Sequence, residues 1–151
     1  MTEKFVRISI DSDIRNVFLI GAVVNRLSTL ADFSDIEIFQ IELAVVESVN
    51  NAIKHAYNNE CGHDIEVIFI LHLNRVTFEI CDTGNSLDAI LLSKNIDSVP
   101  QFDPINVENL PEGGMGLSII HQIMDCVAYE TTNGRNKLIL TKFFSAHEAT
   151  P

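Results

Sequence analysis

A chain of 151 residues with 46 % hydrophobic and 21 % charged side chains has the composition of a folded domain rather than a disordered or fibrous segment. Its formal charge of −11 leaves no basic cluster to release counterions from a phosphate backbone or an anionic bilayer, which excludes nucleic acid and membrane surfaces as expected partners. Three scattered cysteines, Cys61, Cys81 and Cys126, form no zinc-ligand spacing and are expected to be reduced thiols of a cytoplasmic protein.

The N-terminal residues Met1 to Arg7 carry both signs of charge with no apolar stretch and cleavage site behind them, so no secretory leader is expected. Lys4 to Ile10 alternates as a strand does. Asp11, Ser12 and Asp13 then offer capping oxygens for a helix reaching about Ala31, with Ile14, Val17, Phe18, Gly21, Val24, Leu27 and Ala31 as its core-facing stripe. Ser34-Asp35-Ile36-Glu37 fits a capping box. The helix it opens is predicted to run to about Tyr57, where Asn58, Asn59 and Gly62 supply turn residues.

Two strands follow, Asp64 to Leu71 and Arg75 to Cys81, the second expected to keep one face in water. From about residue 85 to 113 the pattern weakens around Pro100 and Pro104, with a short helix expected near Leu87 to Ser93. A loop of that length inside a compact domain usually serves as a binding loop or lid. Gly116 to Asp125 has helical periodicity, and Cys126 to Thr132 with Lys137 to Phe144 form a hairpin about Asn133-Gly134. The order predicts one α+β domain over 1–151: a two-layer sandwich with a mixed, mostly antiparallel sheet and helices on a single face.

Three segments carry chemistry. In Glu47 to Tyr57, Glu47, Asn51 and His55 recur every four residues and share one helical face, with Lys54 beside them. That face could assemble a magnesium–phosphate site; taken alone, it reads more readily as a solvated helix face. Asp82-Thr83-Gly84 closes a strand, where an aspartate can accept a bond from a base's amino group and a glycine lets backbone pass closely; a simple turn reads the same way. Gly113, Gly114, Met115, Gly116 and Leu117 precede a helix, whose N-terminal N–H groups favour phosphate oxygens, or else form a hinge. No Lys-Ser/Thr follows the glycines and no strand directly precedes them, so neither a Walker A loop nor a Rossmann fingerprint is present.

Taken in order, these segments resemble the N, G1 and G2 boxes of the Bergerat-type ATPases shared by gyrase, the Hsp90 chaperone, histidine kinases and MutL. The wording Glu-x-x-x-Asn-Ala-x-x-His-Ala-Tyr at 47–57 and Asp-x-Gly-x-x-Leu-Asp at 82–88 is most similar to the anti-sigma-factor, partner-switching serine kinases. The resemblance implies ATP and Mg²⁺ as cofactors, Glu47 as general base and Asn51 as metal ligand. It places Asp82 on the adenine amino group, Gly84 beside the base, and Gly114, Met115, Gly116 and Leu117 at the phosphates. Lys54 and His55 are implied polar contacts to the nucleotide. The implied partners are an antagonist protein, phosphorylated on serine or threonine, a sigma factor or other regulator held in its absence, and a second copy of the chain in a homodimer.

One departure bears on activity. Between Asn85 and Glu112 the only cation is Lys94, set among Asp88, Asp97, Asp103, Glu108 and Glu112, whereas phosphoryl transfer spreads negative charge that an Arg or Lys normally offsets. The alternative is therefore a non-catalytic, nucleotide-tuned protein-binding module. A histidine kinase fragment is disfavoured, because no helical hairpin with a phosphoacceptor histidine precedes the domain.

Overall fold

The computed structural model describes residues 3–87 and 116–144. Five strands, β1 (Lys4–Asp11), β2 (Asp64–Leu71), β3 (Arg75–Asp82), β4 (Cys126–Thr132) and β5 (Arg135–Phe143), form one sheet in the order β1-β2-β3-β5-β4. All four described pairings are antiparallel. Among the described residues three α-helices, α1 (Val17–Ser28), α2 (Asp35–Asn51) and α3 (Gly116–Ile123), bury their apolar faces against one side of it.

Register explains the core. The pairings Val67↔Ile80, Phe69↔Phe78, Phe78↔Leu140 and Ile80↔Leu138 align the large inward side chains of three central strands, and each of them is at most 5 % exposed. The hairpin that sets the β4–β5 register turns on Asn133 and Gly134, both at positive φ (52° and 75°). Two such residues in succession match the twist of antiparallel strands.

The helix starts follow local chemistry. Ser34 Oγ accepts the Glu37 N–H at 3.2 Å while Glu37 Oε2 accepts the Ser34 N–H at 2.7 Å, completing the predicted capping box. At the first helix, Asp13 Oδ1 accepts the Arg15 N–H at 2.9 Å. The Arg15 guanidinium holds that carboxyl down at about 2.

Two expectations need correction. The chain enters α1 through a 3₁₀ turn, Ile14–Asn16, and α1 ends at Ser28 rather than Ala31. At about 3.6 residues per turn the inward stripe, Val17, Ile20, Gly21, Val24 and Ser28, spans about 100° of the helix, and Phe18 falls outside it. Ile14 and Phe18 point outward, at 53 % and 70 % exposure. The second correction concerns β3, whose outer face is only partly wet: Arg75 and Glu79 are partly exposed, whereas Thr77 and Cys81 are buried. Strands β2 and β5 flank it on both sides. Across this outer surface His72 Nε2 meets Thr77 Oγ1 at 3.1 Å and Lys137 pairs with Glu79 at 3.4 Å.

Candidate functional site

The polar stripe expected on the second helix lies at the C-terminal end of α2, where the helix widens into a π segment, Ala52–Ala56. Its marker is the bond from Tyr57 N to Ala52 O at 3.2 Å. Single π turns inside helices are frequent at functional sites. Here the Ala56 carbonyl accepts the Asn85 N–H at 2.9 Å, tying the end of α2 to the chain leaving β3. That junction dictates Gly84. A Cβ at this position would collide with the Ala56 carbonyl oxygen and lie 2.6 Å from Ala56 C and 2.9 Å from Ala56 Cβ. Tyr57, buried beneath, accepts the Thr83 N–H at 2.9 Å and donates to the Asp64 carbonyl at 2.8 Å.

Strand β3 ends on Asp82, which continues the inward row of Phe78 and Ile80. Its side chain is 8 % exposed. Oδ1 accepts the Gly84 N–H at 3.0 Å and Asn136 Nδ2 at 2.8 Å, and Oδ2 has no bonding partner among the described residues. Burial pushes the carboxyl above its ordinary value, and the bonds from Asn136 and Gly84 pull it back.

Helix α3 begins against this assembly. A Cβ on Gly116 would stand 3.0 Å from Asn51 Nδ2 and 3.1 Å from Glu47 Oε2. The first glycine of α3, the carboxylate and the amide of α2 are therefore immediate neighbours, although they come from segments far apart in the chain. Asn51, His55, Asp82 and Leu117 line one cavity, with Ile80, Leu138, Leu87 and Tyr129 as its apolar walls. Apolar walls with a buried carboxylate among a few polar side chains suit a flat ligand carrying an amino group. The free volume is only about 20 Å³, room for a water and too small for a purine without displacement of the lining side chains.

The description "Histidine kinase-like ATPase domain" matches residues 10–142, a span holding every one of these groups. The chain belongs to the histidine kinase-like ATPase family. Among curated proteins it is 27 % identical over 150 residues to "Serine-protein kinase RsbW" of Bacillus thuringiensis (strain Al Hakam), covering 98 % of this chain and 91 % of that protein. The proteins of the same name from Bacillus cereus (strain 03BB102) and Bacillus anthracis match with the same identity and coverage. The likeness runs the length of the chain, so it embraces α2, the end of β3 and the start of α3 together.

Of the residues expected in the site, Asn51, His55, Asp82 and Leu117 line the cavity, Glu47 and Gly116 adjoin Asn51, and Gly84 packs on Ala56, another lining residue. Lys54 is exposed on the π segment and is not among the lining residues. Gly114 and Met115, the lid, and the short helix expected near Leu87 to Ser93 lie outside the described residues, except that Leu87 itself belongs to no helix. Two contributors were not foreseen. Tyr57 holds the strand end, and Asn136 on β5 sits directly opposite Asp82 in the β3–β5 register. The sequence carried a signal for the second: Asn136 precedes Leu138 and Leu140 on an inward-facing row, a polar residue where the alternation calls for an apolar one.

Proposed function

We propose that the chain is an ATP-dependent serine/threonine kinase that phosphorylates an antagonist protein in a partner-switching module, and that otherwise holds a sigma factor or another regulator. The observation carrying this reading is the meeting of Glu47, Asn51 and Gly116 beside the cavity that ends on Asp82. The likeness to serine-protein kinases and the N-box wording support the substrate class.

The donor groups fit the cofactors. One unpartnered carboxylate oxygen on Asp82 suits an adenine amino group. Asn51, with Glu47 beside it, suits a magnesium ion held mainly by phosphate oxygens and water rather than by a protein cage. Among the described residues no group of three or more His, Cys, Asp or Glu side chains could hold a metal. Magnesium, when bound, neutralises phosphate charge. In the transfer, the antagonist's serine oxygen forms a bond to the γ-phosphorus and the bond to the bridging β–γ oxygen breaks. Glu47 takes the hydroxyl proton, and ADP leaves. Gly116 keeps side-chain bulk away from Glu47 and Asn51, and the backbone N–H groups at the α3 start would take the phosphates, with Gly114, Met115 and Leu117 contributing as the motif resemblance implies. Lys54 reaches from the exposed π segment toward the same charge.

Pairing in a homodimer has support in the outward turn of α1. Ile14, Phe18, Leu19 and Val23 are 53, 70, 46 and 36 % exposed, an apolar strip open to solvent. The protein acts in the cytoplasm; no described helix is long and apolar enough to cross a membrane. The scarcity of cations between Asn85 and Glu112 favours a second reading, in which nucleotide merely tunes protein binding. Incubation with labelled Mg-ATP and candidate antagonists separates the two. Transfer that Glu47→Ala abolishes while nucleotide binding survives supports the kinase. Binding without transfer in the native chain selects the module.

A further inference from the structure

Asn136 is 1 % exposed and uses its whole hydrogen-bonding capacity. Nδ2 donates to Asp82 Oδ1 at 2.8 Å and to the Gly84 carbonyl at 3.0 Å. Oδ1 accepts from Ser86 Oγ at 3.1 Å and from Thr131 Oγ1 at 2.8 Å. The orientation of the amide follows from its partners: a carboxylate and a peptide carbonyl can only accept, so the NH₂ group must face them, and the two hydroxyls then donate to the oxygen. A serine or threonine brings a single donor to a place that uses two. An aspartate would set a second carboxylate against the first.

We propose that Asn136 is the positioning residue that fixes Asp82 as a pure acceptor for a purine's exocyclic amine and so sets the site's preference for a 6-amino over a 6-oxo base. By occupying Oδ1 together with the Gly84 N–H, it leaves Oδ2 as the one atom presented to the cavity. Ser86 and Thr131 hold the amide from turning over. The hydroxyl of Tyr129, one of the cavity walls, accepts the Leu87 N–H at 2.9 Å, so the residues following Gly84 are anchored on both β4 and β5. Asn136 thus acts through Asp82 rather than by touching the nucleotide. The inference rests on the nucleotide reading above.

The test compares affinities of the full chain for Mg-ATP and Mg-ITP, which differ in the 6-substituent, an amine against an oxo group, and in N1, an acceptor in adenine and an N–H donor in hypoxanthine. The native chain is expected to prefer ATP by about a hundredfold or more, because a site built for a donor leaves its acceptor unpaired against the oxo analogue. In Asn136→Asp the two facing carboxylates share a proton and the pair offers a donor. Its ATP/ITP ratio should fall by roughly tenfold at pH 6 and recover in part as pH rises to 8 and the proton leaves. The double variant Ser86→Ala/Thr131→Val changes two exposed residues, keeps Asn136, and frees its amide to turn; its ratio should fall about threefold to fivefold. If Asn136→Asp does not fold, the double variant decides alone. Equal losses of ATP and ITP affinity, with the ratio unchanged and flat in pH, make Asn136 merely structural and overturn the inference. A native chain that binds neither nucleotide removes the nucleotide reading itself, whereas a native chain that discriminates while the variants discriminate equally well removes only the role of Asn136.

Discussion

Replacing Gly84 by alanine tests the joint between α2 and β3 that shapes the site. The added methyl meets backbone, not the end of a flexible side chain: it collides with the Ala56 carbonyl oxygen and lies 2.6 Å from the carbonyl carbon. Neither partner can retreat freely, because that carbonyl also accepts the Asn85 N–H at 2.9 Å and Tyr57 pins Thr83 at 2.9 Å. Overpacking usually costs 1–3 kcal/mol, and rigid backbone on both sides places this variant near about 3 kcal/mol. For a chain of this size that corresponds to a fall in Tm of about 10 °C. Because Gly84 N also bonds Asp82 Oδ1, nucleotide affinity should fall with stability. Urea unfolding and nucleotide titration of the same preparation read both effects, with Gly134→Asn as the control. Gly134 has φ of +75° and no atom within 4 Å of an added Cβ, so asparagine there should stay within about 1 kcal/mol of the native chain. A Gly84→Ala protein with native stability and native affinity would refute the close approach and the reasoning built on it.

Gly116→Ala presents the opposite balance: its methyl would press on the ends of two side chains, Asn51 and Glu47, which can yield. Stability should stay within about 1 kcal/mol while Mg-ATP affinity falls at least roughly tenfold, read by thermal melting and titration calorimetry. Asp82→Asn bears on pH. The folded, ligand-free chain holds the Asp82 proton more tightly than the unfolded chain does, since burial raises its pKa from 3.8. Stability contributed by that proton is present in acid and declines as pH rises through the folded value. The variant keeps an oxygen for the Gly84 and Asn136 bonds without the buried charge, so its melting temperature should match the native one near pH 4 and equal or exceed it at pH 7.5. A variant that melts lower at neutral pH contradicts the assignment. Ser34→Ala removes one half of the capping box far from the cavity, and should cost about 1 kcal/mol in urea with nucleotide affinity unchanged.

Short-range chemistry was visible in the sequence wherever one residue answers its neighbours. The Ser34–Glu37 box, the Asn133-Gly134 turn and the strand from Asp64 to Leu71 all formed as predicted. The meeting of Glu47, Asn51, Asp82 and Gly116 was foreseeable only as an ordered set of motifs, since nothing local in any of them specifies the others. What stayed hidden depends on phase and on register. Ile14 falls in the 3₁₀ entry ahead of α1 and Phe18 lies outside the arc that α1 buries, and no residue type announces either. The π widening at Ala52–Ala56 is stabilised by contacts made elsewhere, including the bond from Asn85 to Ala56. Asn136 becomes meaningful only once the β3–β5 register sets it opposite Asp82. Its break in an otherwise apolar row was the one mark it left in the chain.

Titration calorimetry of Mg-ATP into the native chain and into Asp82→Asn most directly probes whether this cavity is a nucleotide site. A saturable heat in the native chain, reduced at least roughly tenfold in affinity by a substitution that leaves the fold intact, is the expected result. No saturable heat at millimolar Mg-ATP, or equal binding by both proteins, would mean that the aspartate ending β3 does not receive a base.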